Sequence, residues 1–191
     1  MAELSAAWFA IHIRMHDHAR IETALQHKGF EVLSPYYFPT RIRADGHRKR
    51  TRKTPLFPGY LFCSLDPRDR MGVLMVPGVK QILGIGATVT PVPAAEIEAV
   101  RLTLASGLPI EPCRLADLEP GELVEVLSGP LTGVRGTVVY HKGKHRVVIT
   151  VSALSNRAVA VEVDRDLLKS ISQPAFAGSR AGLPYVFRAS A

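Results

Sequence analysis

The chain has 191 residues, with 24 Lys/Arg against 17 Asp/Glu and a formal net charge of +7. Its 47% hydrophobic residues can fill one full core or two small ones, which excludes wholesale disorder. No apolar run approaches the ~20 residues of a bilayer span, Met1-Ala2-Glu3-Leu4-Ser5 does not read as a secretory signal, and Cys63 and Cys113 are far apart without CxxC spacing, so a cytoplasmic protein with two reduced thiols is expected, not a membrane protein, a disulfide scaffold or a zinc module.

Trp8 to Ile13 alternates bulky residues and reads as a strand. A helix of about 13 residues follows, with Ile21, Ala24, Leu25 and His18 as its buried stripe and Gly29 as its stop. Glu31 to Thr40 opens a second strand, bent or placed at an edge by Pro35 and Pro39. Asp45-Gly46 is a two-residue hairpin signal between basic arms. Gly59–Leu65 is an aromatic strand entered through Pro58-Gly59. Asp66-Pro67 starts a short helix to about Met75, Val79–Ile85 is a strand, and Pro93–Ala105 is a helix with Ile97, Val100 and Leu104 as its apolar face. Residues 107–119 contain prolines and no apolar period, so they read as a linker. Beyond them come short valine-rich strands, Leu123–Val126, Thr137–Tyr140, Arg146–Val151 and Val159–Val163. The turns between them are marked by Gly129-Pro130, Lys142-Gly143-Lys144 and Ser155-Asn156-Arg157, a pattern that fits a small closed barrel. Residues 172–191 form an Ala/Gly/Ser/Pro-rich tail, expected to be flexible, in which Leu183-Pro184-Tyr185-Val186-Phe187 is a candidate docking segment. The predicted fold class is α+β: an N-terminal antiparallel sheet with flanking helices over 6–106, joined to a small β-barrel over 120–171.

Positive charge concentrates in the N-terminal half. Residues 1–110 hold 14 Lys/Arg against 9 Asp/Glu, and seven of those bases fall within Arg41–Lys53. Such a run is either a solvated face or a phosphate-contacting arm, with Arg48, Lys49, Arg50, Arg52 and Lys53 as the contacting groups. Arg14, His16, His18 and Arg20 form a second basic set where the first helix begins, a place suited to a phosphate or an extruded base. No carboxylate or thiol cluster joins the two histidines, so no metal is expected. In the aromatic strand Tyr60 and Phe62 point one way and Leu61, Cys63 and Leu65 the other. Both faces are thus apolar. Either the chain covers both itself, or Phe57, Tyr60 and Phe62 line an open groove for a partner's helices. No nucleophile motif, phosphate-cradling loop or cofactor signature is present, so neither an enzyme nor a cofactor protein is expected.

Trp8-Phe9-Ala10-Ile11-His12, Pro55-Leu56-Phe57-Pro58-Gly59-Tyr60-Leu61-Phe62, Val76-Pro77-Gly78-Val79 and the glycine-marked turn Gly129–Gly136 occur in an order and spacing that resemble the NusG family of transcription elongation factors. The resemblance spans about residues 7–171. The aromatic strand looks most like the specialised RfaH and UpxY type, and the last segment resembles a KOW motif. The resemblance implies an NGN-like N-terminal domain and an SH3-like KOW barrel. It also implies docking of Phe57, Tyr60 and Phe62 on the clamp helices of RNA polymerase, with contact of Arg14 and Arg20 to the non-template DNA strand and suppression of pausing or termination. For the barrel it implies recruitment of a small-subunit ribosomal protein or Rho through Ala153 and Leu154. A monomer is expected. The polar His-Thr-Thr element by which RfaH touches a second polymerase lobe is replaced here by Arg70-Met71-Gly72-Val73, and the Ser155-Asn156-Arg157 turn is longer than in general factors. The alternative reading is an RNA- or ribosome-binding KOW protein with an accessory N-terminal domain. The valine-rich strands predict a barrel that stays a barrel, not one that refolds into helices.

Overall fold

The structure is a computed structural model that describes residues 6–42, 48–50, 52–85, 88–114, 121–141, 144–154 and 157–171. The Asp45-Gly46 turn, Lys142-Gly143, Ser155-Asn156 and the tail 172–191 lie outside the described residues.

In the N-terminal half the elements run β1 (Ala7–Ile13), α1 (His18–His27), β2 (Glu31–Leu33), β3 (Tyr36–Tyr37), β4 (Thr40–Ile42), β5 (Arg48–Arg50), β6 (Thr54–Pro55), β7 (Tyr60–Leu65), α2 (Arg70–Leu74), β8 (Val79–Ile82), β9 (Gly84–Ile85), β10 (Thr88–Val89), β11 (Pro91–Val92) and α3 (Ala94–Ala105). The predicted second strand is three short ones, because Ser34-Pro35 and Phe38-Pro39 interrupt its pairing. The first helix is shorter than expected, at ten residues. Gly29 still follows it as a stop, in the left-handed region at φ 86. The strand expected over 79–85 breaks after Ile82, and Gly84-Ile85 pairs instead with β10.

The main N-terminal sheet is antiparallel in the order β11-β1-β7-β2, with β8 also on β1. In register, Ala10 faces Phe62, Ile11 faces Leu61 and His12 faces Tyr60. The alternation read from the sequence holds. Phe9, Ile11, Ile13, Leu61, Cys63 and Leu65 share one core with Ile21 and Leu25 of α1 and Val73 of α2. Ala10, Phe62, Leu56 and Phe57 belong to a second core on the opposite face, which Ile97, Ala99 and Val100 of α3 help to fill.

The C-terminal half contains β12 (Ile110–Arg114), β13 (Leu123–Val126), β14 (Arg135–His141), β15 (Lys144–Thr150), a 3-10 turn at Ser152–Leu154, β16 (Arg157–Glu162) and β17 (Leu168–Ser170). They form one antiparallel sheet in the order β12-β16-β15-β14-β13-β17. The stretch expected to be a linker therefore contains a strand. β12 pairs along its whole length with β16, and Arg146 on β15 bonds Glu111 on β12. It is an edge strand, which is why Pro112 fits: a residue without an N–H is tolerated where one side of the strand is unpaired. Gly136 is required by close packing, since a Cβ there would sit 2.5 Å from the Val148 carbonyl oxygen. The valine-rich segments are strands, as their β-branched side chains favour.

Candidate functional site

The ring-bearing face of β7 is not an open groove. Phe57 and Phe62 are 1% and 0% exposed, with their rings edge-to-face at 5.9 Å. The expectation that they line a surface for a partner is corrected by what covers them. The core that holds them continues without a break into the C-terminal sheet through Val124, Val147, Ile149, Leu154 and Val159. α3 lies against β15, and β11 lies against the turn at Ser152–Leu154. Apolar residues on both faces of β7 thus have a plain cause: the chain buries both.

Tyr60 is the half-buried member of the set. Its ring stacks on His12 at 5.0 Å and 18°, and the Arg157 guanidinium of β16 lies 5.1 Å from its centroid. Elsewhere between the two halves, the Glu96 carboxylate of α3 accepts hydrogen bonds from the Ser152 N–H at 2.8 Å and the Ser152 hydroxyl at 3.0 Å. These polar contacts rim the seam between the two halves. Leu154, expected to meet a partner of the barrel, is buried in the shared core, and Ala153 packs against it partly buried. Both are occupied by the same seam.

The basic residues divide. Arg14, His16 and Arg20 are exposed beside the start of α1. Arg20 pairs with Asp17 at 3.7 Å and donates to the Pro77 carbonyl. His18 does not join them. It is 5% exposed, and its Nε2 accepts the Gly59 N–H at 3.1 Å, so the proton sits on Nδ1, which has no partner among the described residues. The expectation that His18 contacts nucleic acid is corrected, because its ring props the Pro58-Gly59 corner that leads into β7. In the basic arm β4 and β5 pair antiparallel, with Arg41 opposite Lys49, Ile42 opposite Arg48 and Thr40 opposite Arg50. Arg52 and Lys53 are exposed, and the Lys53 ammonium sits 4.1 Å above the Tyr36 ring. No group of three or more metal-type ligands occurs among the described residues, and no described helix is long and apolar enough to cross a membrane.

Burial holds the His18 pKa below its ordinary value. The fold thus favours the neutral ring, and the unfolded chain binds the proton more tightly. The contribution to stability is complete above about pH 6.5 and is lost as pH falls below that value toward the depressed folded pKa. Protonation would also set two donors, Nε2–H and the Gly59 N–H, against each other. Urea unfolding between pH 7.5 and pH 5 is expected to show wild-type stability falling with acid, and less so in His18→Gln, whose amide oxygen can still accept from Gly59. Equal slopes would remove the role given to His18.

The family model described as "Transcription termination factor nusG" matches residues 6–101. A transcription termination/antitermination protein NusG of Thermus thermophilus is 30% identical over 84% of this chain and 96% of its own length. The chain belongs to the NusG family. The corresponding Deinococcus radiodurans protein is 28% identical over 84% of this chain and 97% of its own length. A solved structure of Thermotoga maritima NusG, titled for domain interaction, covers 90% of this chain at 19% identity with a TM-score of 0.48.

Within this NusG-family chain, sequence reading missed Glu96, Ser152 and Arg157 at the seam. Glu96 was legible only as an acid at a helix N-terminus. Arg157 was legible only as part of a turn. Nothing local in either segment marks a contact some sixty to a hundred residues away. Cys63 is buried under the sheet, and burial, aided by Glu31, pushes its thiol up to about 12, which makes it inert.

Proposed function

We propose that this chain is a transcription elongation or antitermination factor that docks on the clamp helices of RNA polymerase through the Tyr60 face of its N-terminal unit, residues 6–106. The C-terminal sheet is read as a KOW barrel over 120–171, to which β12 adds an edge strand. It recruits a ribosomal protein or Rho through Ala153 and Leu154. Arg14, His16 and Arg20, with the Arg48–Lys53 arm, meet the non-template DNA strand. The factor acts by binding, holding the polymerase closed around DNA and so suppressing pausing or termination.

One observation carries this reading: the apolar sheet face bearing Tyr60 and Phe62 is covered by a separate sheet of the same chain, rimmed by exposed polar contacts. A face whose cover is held this way can be uncovered without dismantling either sheet. On this reading the closed form is a resting state, in which one seam hides Tyr60, Ala153 and Leu154 together. Polymerase binding separates the halves and frees both partner surfaces at once.

The test is binding of the full chain to core RNA polymerase and, separately, to single-stranded DNA and ribosomal RNA across a salt series. Polymerase docking should weaken little with salt because apolar burial dominates it. DNA binding should fall steeply. Replacing Arg48, Lys49, Arg50, Arg52 and Lys53 by Ser should flatten the log–log salt slope by roughly 0.7 for each phosphate contact removed. Tight binding to ribosomal RNA with none to polymerase would reverse the assignment in favour of an RNA- or ribosome-binding KOW protein.

A further inference from the structure

β8 joins β1 in a broken register. His12 faces Gln81 and Ile13 faces Val79, so Lys80 is an extra residue with no partner position of its own. A bulge of this kind bends the strand and re-aims a side chain. Lys80 is exposed, and its backbone lies between the residues that face His12 and Ile13, on the strand next to the one that carries the His12–Tyr60 stack. From the other half, Arg157 brings its guanidinium over the same Tyr60 ring. Burial, then Lys80, then Arg157 all lower the His12 pKa, which is the electrostatic signature of two cations acting on one imidazole. Among the described residues neither cation forms an ion pair, and the ion pairs of this structure lie elsewhere. On the strands paired with β1, Tyr60 shares the face of His12, while Cys63 of β7 lies in the core on the opposite face.

Bringing like charges together across an interface costs free energy unless an anion lies between them. Two cations call for more than one negative charge, and a guanidinium fork matches paired oxygens. We propose that Lys80, His12 and Arg157 form an oxyanion site for phosphate, supplied either as a free polyanion or as successive phosphates of a nucleic-acid strand. Because its ligands come from both halves, a bound phosphate clamps the seam shut. The inference needs only the closed seam and stands apart from polymerase docking.

The test follows the His12 imidazole resonance of the full chain by NMR, with pyrophosphate as the first probe and chloride at matched ionic strength as the control. Pyrophosphate should shift the resonance saturably and raise the His12 titration midpoint, since an anion favours the imidazolium. Lys80→Ala should weaken binding about tenfold, the effect of losing one charge-assisted contact. Lys80 is exposed, so the variant should keep the wild-type spectrum elsewhere. A short single-stranded oligonucleotide forms the second arm. If it acts at lower concentration than pyrophosphate, the phosphate source is nucleic acid; if it acts only at higher concentration, the source is a free anion. A His12 resonance unmoved by either probe, or binding unchanged by Lys80→Ala, would overturn the site.

Discussion

Phe62→Ala is expected to cost about 3–5 kcal/mol of folding stability, the range for truncating a fully buried aromatic. Phe62 is 0% exposed, faces Ala10 and Leu33 on the neighbouring strands, and meets the Phe57 ring edge-on. Its loss leaves a cavity where the two halves share one core, and packed interiors relax only partly into such a space. For a domain of this size the melting midpoint should drop by about 10 °C or more. Thermal unfolding followed by circular dichroism checks this. A drop of only a degree or two would mean that the ring is not packed as described. Phe62 is therefore a poor probe of partner docking, because lost binding could reflect lost folding. Tyr60 is the better one. It is half-buried, its contacts are a stack and a cation at the rim, and its truncation removes surface more than core.

This difference between neighbours two residues apart marks what could be read in the sequence. The alternation along β7 was legible, because side chains on a strand must alternate whatever covers them. The stripe of α1 and its stop at Gly29 were legible for the equivalent reason in a helix. The identity of the cover was not. A strand that is apolar on both faces has the same local pattern whether its second face meets a foreign coiled coil or a distant part of its own chain. His18 shows the same ambiguity in one residue. Its place on the buried stripe and its place among basic neighbours were both readable, and only the Gly59 N–H resolves which role it takes. β12 escaped because Ile110-Glu111-Pro112-Cys113-Arg114 has neither alternation nor a β-rich composition. Its strand form comes from its pairing with β16, a long-range cause that overrides weak local propensity.

Loosening the seam should strengthen polymerase binding, and this outcome separates a cover from a contact. Glu96→Ala removes the carboxylate that accepts both Ser152 hydrogen bonds, and Arg157→Ala removes the cation over Tyr60. The Glu96 contact is exposed, so its gross strength must be discounted for solvent screening to about 1 kcal/mol. The Arg157 contact contributes roughly 0.5–1 kcal/mol. Together they shift the closed–open equilibrium by roughly ten- to thirtyfold toward open. Where the closed form dominates, apparent affinity scales with the open fraction, so the double variant should bind core polymerase roughly ten- to thirtyfold more tightly than the wild-type chain in phosphate-free buffer. Neither residue lies in the fully buried core, and urea unfolding of each half should change little. If Glu96 or Arg157 touched the polymerase directly, truncation would weaken binding. Only a residue that holds the cover in place yields a gain on removal. Weaker binding by the double variant would mean that the seam is not what keeps the Tyr60 face from its partner.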